Sequence, residues 1–455
     1  MTNEPIGEHL SRRHFLAGVG PVGAGTLMAG PGLWAAEESA HDPDPVANRG
    51  SVASLWSVRD FGAKGDGRTD DTRAFQEALD AARKGGGGIV LAPRGNYLFV
   101  GNLRVPSAVT LEGTFRCVPA HNGIRDPGLP KPGDDGTTLL VKAGRGQEQG
   151  EPFLSLTTNS AVKGLVIYYP DQDPKGTPVP YPWAIALRGK NPAVLDVELL
   201  NPYQGIDATT SERHHIRNVH GQPLRRGILV DQVYDIGRIE NVHFNPWWSI
   251  SEAVIQFMVT QGEAFILGKT DWEYMVNCFS IIHHTGFLFR EFKHGPGNVM
   301  LTQCGHDISP VAVRVEQSQP HAGIAFSNSQ FMGSIEVAKT NAGPVKFSNC
   351  GFWGPQAGDF QNPGMTTLAT LEGTGHVTFN ACHFTWWDRK ADGSPCIRAR
   401  CEGLTLMACE FMEAKAHLEL AATLKAGIIV GNRFRGGARI SNQGATVQMG
   451  FNAET

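Results

Sequence analysis

Val345-Lys346-Phe347-Ser348-Asn349-Cys350-Gly351-Phe352 is one copy of an eight-residue phrase that recurs along this chain, apolar at its first, third, sixth and eighth positions. VTFNACHF from Val377, LTLMACEF from Leu404 and IAFSNSQF from Ile324 repeat it closely. Weaker copies start at Ser160, Leu195, His214, Gly237, Trp272, Val299 and Gly427. The eighth position is filled by Phe244, Phe279, Phe331, Phe352, Phe384, Phe411 and Phe434. A step of two, then three, then two describes a short strand, one bend residue and a second short strand. The bend falls at the fifth position, where Gly164, Asn218, Asn241, Asn328, Asn349 and Gly431 tolerate positive φ. Starts 19 to 35 residues apart fit one turn of a solenoid with loops of varying length, since each coil buries its apolar positions only by stacking on its neighbours. The pattern predicts an all-β, single-stranded right-handed parallel β-helix of at least eleven coils. A β-sandwich has no reason to hold one step pattern over so many strands.

Composition agrees with a loop-rich β chain. Its 455 residues include 55 Gly and 28 Pro, and 18% are charged. Forty basic against 44 acidic residues give no argument for nucleic acid or a membrane surface, and no internal apolar run is long enough to span a bilayer. Four of the eight cysteines, Cys304, Cys350, Cys382 and Cys409, occupy the inward sixth position and are expected as buried small hydrophobes rather than disulfides. Cys117, Cys278, Cys396 and Cys401 are left undetermined by the register, and no Cys/His spacing suits zinc.

Three segments are expected. Residues 1–36 resemble a twin-arginine export signal, with Arg12-Arg13 ahead of a modestly apolar stretch and small residues near Ala35-Ala36. That resemblance implies the twin-arginine export machinery as a partner and a periplasmic or secreted protein. Residues 37–54, rich in Asp, Pro, Ser and Ala, read as a flexible leader, and residues 55–455 as the β-helix.

The helix opens with Asp60-Phe61-Gly62-Ala63-Lys64-Gly65-Asp66-Gly67, then Thr69-Asp70-Asp71-Thr72 and Ala74-Phe75-Gln76-Glu77-Ala78-Leu79. This reads as a strand, a Gly-rich turn and an amphipathic helix started by Thr69 or Asp70, placed to cap the first coil. Gly85 to Gly88, Ile89-Val90-Leu91, Pro93 and Gly95-Asn96-Tyr97 return the chain to the first strands. Together these motifs resemble the opening of pectate-lyase-like, or glycoside-hydrolase-28-related, right-handed β-helix proteins. The resemblance covers about residues 56 to 115 and implies a carbohydrate-active protein: a hydrolase, lyase, epimerase or depolymerase. It leaves a homo-trimer as an open assembly.

With positions two, four and seven facing solvent, ionisable residues concentrate on four consecutive coils. Asp196 and Glu198 come first, then His215, Arg217 and His220, then Arg238, Glu240 and His243, then Glu273. Stacked strands lie roughly 4.8 Å apart, which puts the Cα atoms of Glu240 and Glu273 about 8 Å apart. Such a pair suits the acid and base of a glycoside hydrolase. Asp271, Asp231 and Asp235 are placed for the same work. Arg217, Arg238, His215 and His243 are the expected substrate-binding residues, and Trp247, Trp248, Tyr169 and Trp183 an aromatic platform for sugar rings. Stacked Glu and Arg also form surface ion ladders of small energetic consequence, so a structural role stands beside the catalytic one.

A polysaccharide lyase is the alternative enzyme. It needs a uronate, a base for the C5 proton, and Arg or bound Ca²⁺ to neutralise the carboxylate. A glycan-binding β-helix without turnover is the alternative outside catalysis. The hydrolase needs no cofactor. His306, where other copies place Phe, is expected to be buried against Asp307, and its Gly305-His306 pair resembles part of a polygalacturonase signature whose paired-Asp strand has no counterpart here. His283-His284 and His383 with Trp386-Trp387-Asp388 are weaker candidates.

Overall fold

The computed structural model describes residues 54–454, except 357 and 359–363. The expected export signal and leader therefore lie outside the described residues, apart from Ser54. From Ala161–Tyr168 onward, each phrase pairs in parallel with the phrase before and after it, through to Val447–Gly450. The halves after the bend stack likewise, for example Phe331 beside Phe352 and Phe352 beside Phe384. A third face is a sheet of 13 strands running from Leu103–Val105 to Ile440–Asn442. The fold is a parallel β-helix, as the phrase required, and the phrase supplies two of its three faces.

The bend is the conformation expected of it. The fifth residue takes φ between 50° and 69° in Gly164, Asp196, Asn218, Asn241, Asn277, Gln303, Asn328, Asn349, Ala381, Ala408, Gly431 and Phe451. These twelve residues mark twelve phrases and correct two starts. The second phrase begins at Pro192, because Val194 pairs with Val162 and Val197 with Leu165, which makes Asp196 the bend. Its run from Ala193 to Leu200 alternates too weakly to fix the register, which a bend alone decides. The fifth phrase begins at Glu273, because Tyr274 pairs with Arg238 and Met275 with Ile239. Trp272 lies just outside it, and Phe279 moves to the seventh position, leaving Ser280 at the eighth.

Inside, like stacks on like. Phe326, Phe347 and Phe379 at the third position lie 5.2 and 5.0 Å apart, nearly parallel. Phe331, Phe352, Phe384, Phe411 and Phe434 form the same column at the eighth. Cys304, Cys350, Cys382 and Cys409 are buried and free as expected, and the corrected register adds Cys278 to their column. Cys396 and Cys401 are buried and free, and Cys117 is exposed.

Near the N-terminal end, helix α1 (Thr72–Lys84) buries Phe75, Ala78, Leu79 and Ala82. Phe75 meets Tyr97 and Phe99 edge-on, at 4.9 Å each. The helix starts after Asp71 rather than Thr69 or Asp70, since Asp66–Asp70 is a strand. The buried Asp71 carboxylate accepts from the backbone of Lys64 and Gly65, so it fastens the Gly-rich turn. A second helix, α2 (Glu252–Gln261), lies between Phe244 and the strand Glu263–Leu267 and buries Val254, Ile255, Phe257 and Met258.

His306 fills the eighth position from inside, but its partners are not Asp307. Its Nδ1 lies 2.6 Å from the Ser280 hydroxyl, and its Nε2 donates to the His283 carbonyl at 3.2 Å. Burial pulls His306 down to about 3, and His283 and His220 to about 4. An unfolded chain takes up these protons near pH 6.5. Between about pH 6.5 and those lower values the unfolded state therefore binds more protons, and stability is lost as the pH is lowered through that range. His306→Phe, which restores the aromatic column, is expected to flatten that slope by up to about 1.4 kcal/mol per pH unit. Denaturant midpoints measured at several pH values check this; an unchanged slope would contradict the assignment.

Candidate functional site

The corrected register divides the expected band. Arg217 and Arg238 are exposed on adjacent coils, where His215 pairs with Arg238 and Arg217 with Glu240. Glu240 is part-exposed, its Oε2 lying 3.4 Å from His215 Nε2. Glu273 points the other way. It is fully buried, 2.9 Å from His214 Nε2, and accepts from the Thr270 hydroxyl at 3.2 Å. His214 Nδ1 lies 2.9 Å from the Ser211 carbonyl, so both ring nitrogens face acceptors. Burial pulls His214 down, but the Glu273 carboxylate and the Ser211 carbonyl outweigh it, and the imidazole is raised above its ordinary value. Between the two, Gly237 has no room for a side chain: a Cβ there would stand 2.1 Å from Glu273 Oε2. Glu240 and Glu273 thus share no surface, and the expected acid and base pair is not assembled.

The other carboxylates lie along the turn edge of the same coils. Asp231 is buried and accepts from the Lys269 backbone, Asp235 pairs with Arg213 at 3.0 Å, and Asp271 with Lys269 at 2.7 Å. The expected platform is also dispersed. Trp248 and Tyr169 are buried, Tyr169 against Tyr181 with centroids 4.8 Å apart. Trp183 is part-exposed at the start of a strand of the 13-strand sheet. Trp247 is part-exposed over His243, at 4.8 Å, and His220.

Beside that group is a triad that phrase reading missed. His121 Nδ1 lies 2.6 Å from Glu198 Oε2, its backbone N–H donates to Glu198 Oε1, and its Nε2 lies 2.8 Å from Asp135 Oδ1. Glu198 occupies the seventh position of its phrase but is fully buried beneath this segment, and burial raises its carboxyl above the ordinary value against the pull of His121. The triad fastens the excursion between Glu112 and Thr137 onto the coils, and Arg125 extends the attachment by donating to the Pro246 carbonyl at 2.8 Å.

A continuous strip of ionisable side chains lies on the outer face of the 13-strand sheet. Glu148 Oε1 meets Arg226 Nη1 at 2.9 Å, and Arg226 Nε reaches Glu263 Oε2 at 3.5 Å. Arg225 and Arg290 approach the same Glu263 at 3.2 and 3.8 Å. Arg290 grips Glu316 at 2.7 and 2.9 Å, and Arg314 joins Glu316 to Glu336. The guanidinium of Arg290 holds the Glu316 carboxyl below its usual range. Tyr203, whose hydroxyl is raised by burial, lies 3.5 Å from Glu148 Oε2. Glu148 and Glu263 therefore flank one planar guanidinium, which caps the separation of their contacting oxygens at about 9 Å. Catalytic carboxylates of glycosidases stand about 5–9.5 Å apart.

Comparison with known proteins supports the family resemblance. Residues 55–128 match the family described as rhamnogalacturonase A/epimerase, pectate lyase-like. Alginate lyase 7 of Azotobacter vinelandii is 38% identical over 94 residues, 20% of this chain and 11% of that protein. The chain thus matches about a tenth of that relative's length. The N-terminal fragment of bacteriophage Phi29 gene product 12 superposes over 88% of this chain and 70% of its own, at a TM-score of 0.55 and 14% identity. PfbA, a surface adhesin of Streptococcus pneumoniae, covers 87% and 93% at 0.51 and 14%. The opening coils resemble the pectate-lyase-like superfamily in sequence, and the remainder shares its β-helix architecture.

The inward placement of Glu273 is testable by stability. Gly237→Ala and Glu273→Gln are each expected to cost about 2–4 kcal/mol, the first by overpacking and the second by stranding His214. Glu240→Gln, at the surface, is expected to stay within about 0.5 kcal/mol. Chemical denaturation of the three variants checks the order.

Proposed function

We propose that this chain is an exported carbohydrate-active enzyme that cleaves glycosidic bonds of a polysaccharide on the outer face of the 13-strand sheet. The observation that carries the reading is the pair of carboxylates on Arg226: Glu148 Oε1 at 2.9 Å and Glu263 Oε2 at 3.5 Å. Glu263, contacted by three guanidinium groups, is the base that activates water. Glu148, on the other side of the Arg226 guanidinium, is the acid that protonates the leaving oxygen. The attacking water gives its proton to Glu263 as its oxygen bonds to the anomeric carbon. The glycosidic bond breaks as Glu148 protonates the departing oxygen. Arg225, Arg226 and Arg290 orient sugar hydroxyls along the strip. The family match and the name of the alginate lyase relative support a glycan substrate.

A lyase is the second reading, and the convergence of Arg225, Arg226 and Arg290 on Glu263 favours it. Those cations would neutralise a uronate carboxylate displaced into the strip, while a base there removes the C5 proton and the 4-linked oxygen leaves. The Tyr203 hydroxyl, 3.5 Å from Glu148, is the nearby proton carrier.

The mature protein is to be incubated with plant, algal and bacterial polysaccharides, following reducing ends together with the ultraviolet absorbance of unsaturated uronates. Reducing ends without absorbance, lowered about 10²-fold or more by Glu148→Gln and by Glu263→Gln, are the expected result. Absorbance would establish the lyase. Loss in Glu240→Gln alone would return the chemistry to the Arg217 and Arg238 face, and turnover of no substrate would leave a glycan-binding β-helix.

A further inference from the structure

The charged residues of the two outer faces differ in one respect that bears on ligands. On the 13-strand sheet the arginines of the strip are paired with carboxylates. On the face formed by the first half of the phrase, Arg217 and Arg238 are exposed, and neither guanidinium makes a hydrogen bond or an ion pair among the described residues. They occupy the fourth and second positions of adjacent coils, so both guanidinium groups project over the same few coils.

Beside them stand two exposed aromatic rings. Tyr234 is 52% exposed and Trp272 45%. Both lie on the turn edge that leads into the phrase. Val233 bridges Thr270 in parallel, and the Asp271 backbone N–H donates to the Val233 carbonyl at 2.9 Å, so Tyr234 and Trp272 belong to neighbouring coils of one edge. Tyr274, next to Arg238 in the ladder, extends the aromatic surface inward as a part-exposed side chain. Trp272 holds φ at 67°, a conformation that disfavours a bulky residue and persists only where its surroundings impose it. Lys269 sits over the Tyr234 ring at 5.8 Å while its ammonium is held by Asp271.

We propose that Tyr234, Trp272, Arg217 and Arg238 form a second, non-catalytic binding surface for a strand of acidic polysaccharide. Flat aromatic faces take the C–H faces of sugar rings, and unpaired guanidinium groups take carboxylate or sulfate substituents at charge-assisted hydrogen-bond distance. A neutral glycan would gain only the first of these contacts. The surface lies on a different face from the Glu148 and Glu263 strip, so it holds a long chain without occupying the cleavage site. The inference rests on the reading of the protein as glycan-active, and it specifies the charge of the glycan.

The test is affinity electrophoresis of the mature protein through gels containing alginate or polygalacturonate, each beside its carboxyl-reduced neutral form, at low and high salt. Retardation by the acidic polymers, weakened by salt and about tenfold less in the neutral gels, is expected. Tyr234→Ala, Trp272→Gly and the double variant Arg217→Ser/Arg238→Ser are each expected to weaken it about tenfold. Trp272→Gly suits the local φ and keeps the fold, so its loss of binding reads the ring itself. Wild-type binding retained in all three variants, equal retardation by the neutral gels, or no retardation at all would overturn the proposal. The assay reads binding rather than turnover. A protein that cleaves through Glu148 can fail it, and one that cleaves nothing can pass it, so the two proposals fall separately.

Discussion

The left-handed residue at the centre of each phrase is the constraint on which the rest depends. It turns the chain after four residues, and every inward and outward assignment follows from where it falls. Side chains reinforce it in part of the solenoid. Asn277, Asn241 and Asn218 each donate an amide N–H to the carboxamide or carboxylate one coil before, ending on Asp196, at 2.7–2.8 Å. Asn349 does the same to Asn328 at 2.6 Å. Yet Gln303, Ala381, Ala408 and Phe451 hold the same φ without belonging to such a ladder. The backbone geometry is therefore what the stacked coils impose, and Asn or Gly is the residue that meets it at least strain.

That hierarchy explains which parts of the fold were legible in the sequence. Copies such as Val345 to Phe352 announce themselves because polar and apolar residues alternate sharply on both sides of an Asn. The copy at Pro192 does not, since Leu195, Val197 and Leu200 imitate the two-and-three step in a shifted frame. The copy at Glu273 misleads for a different reason. A glutamate at an inward position looks wrong by hydrophobicity, and Trp272 beside it looks right. The His214 ring, 59 residues earlier in the chain, together with the Thr270 hydroxyl, makes the inward carboxylate tolerable. A signal was present: His214, Gly237 and Glu273 occupy one position in three successive coils, two charges separated by the smallest residue.

The 13-strand sheet was less legible because its strands are short and carry no phrase. Its ion pairs nevertheless recur at the coil spacing: Arg290 with Glu316 lie 26 residues apart, Arg314 with Glu336 22, and Arg398 with Glu419 21. Opposite charges repeating at the interval of a known repeat are a sequence signature of stacked neighbours on one face. Paired surface charges of this kind add little stability each. Their chemical value lies in geometry, since a guanidinium shared by two carboxylates fixes the distance between them more tightly than free side chains could.

The interior pair and the exposed aromatic edge are linked by strand alternation. Glu273 can turn inward only if its neighbours do not, and Trp272 immediately before it is thereby sent toward solvent, at the cost of a left-handed φ. In the shifted frame, Trp272 would join the core and Glu273 would stand outside beside Glu240. The buried contact between His214 and Glu273 therefore decides the chemistry of the outer surface as well as the packing beneath it. It replaces a pair of surface carboxylates with an aromatic ring beside unpaired arginines, a surface suited to holding an anionic chain rather than to cleaving one.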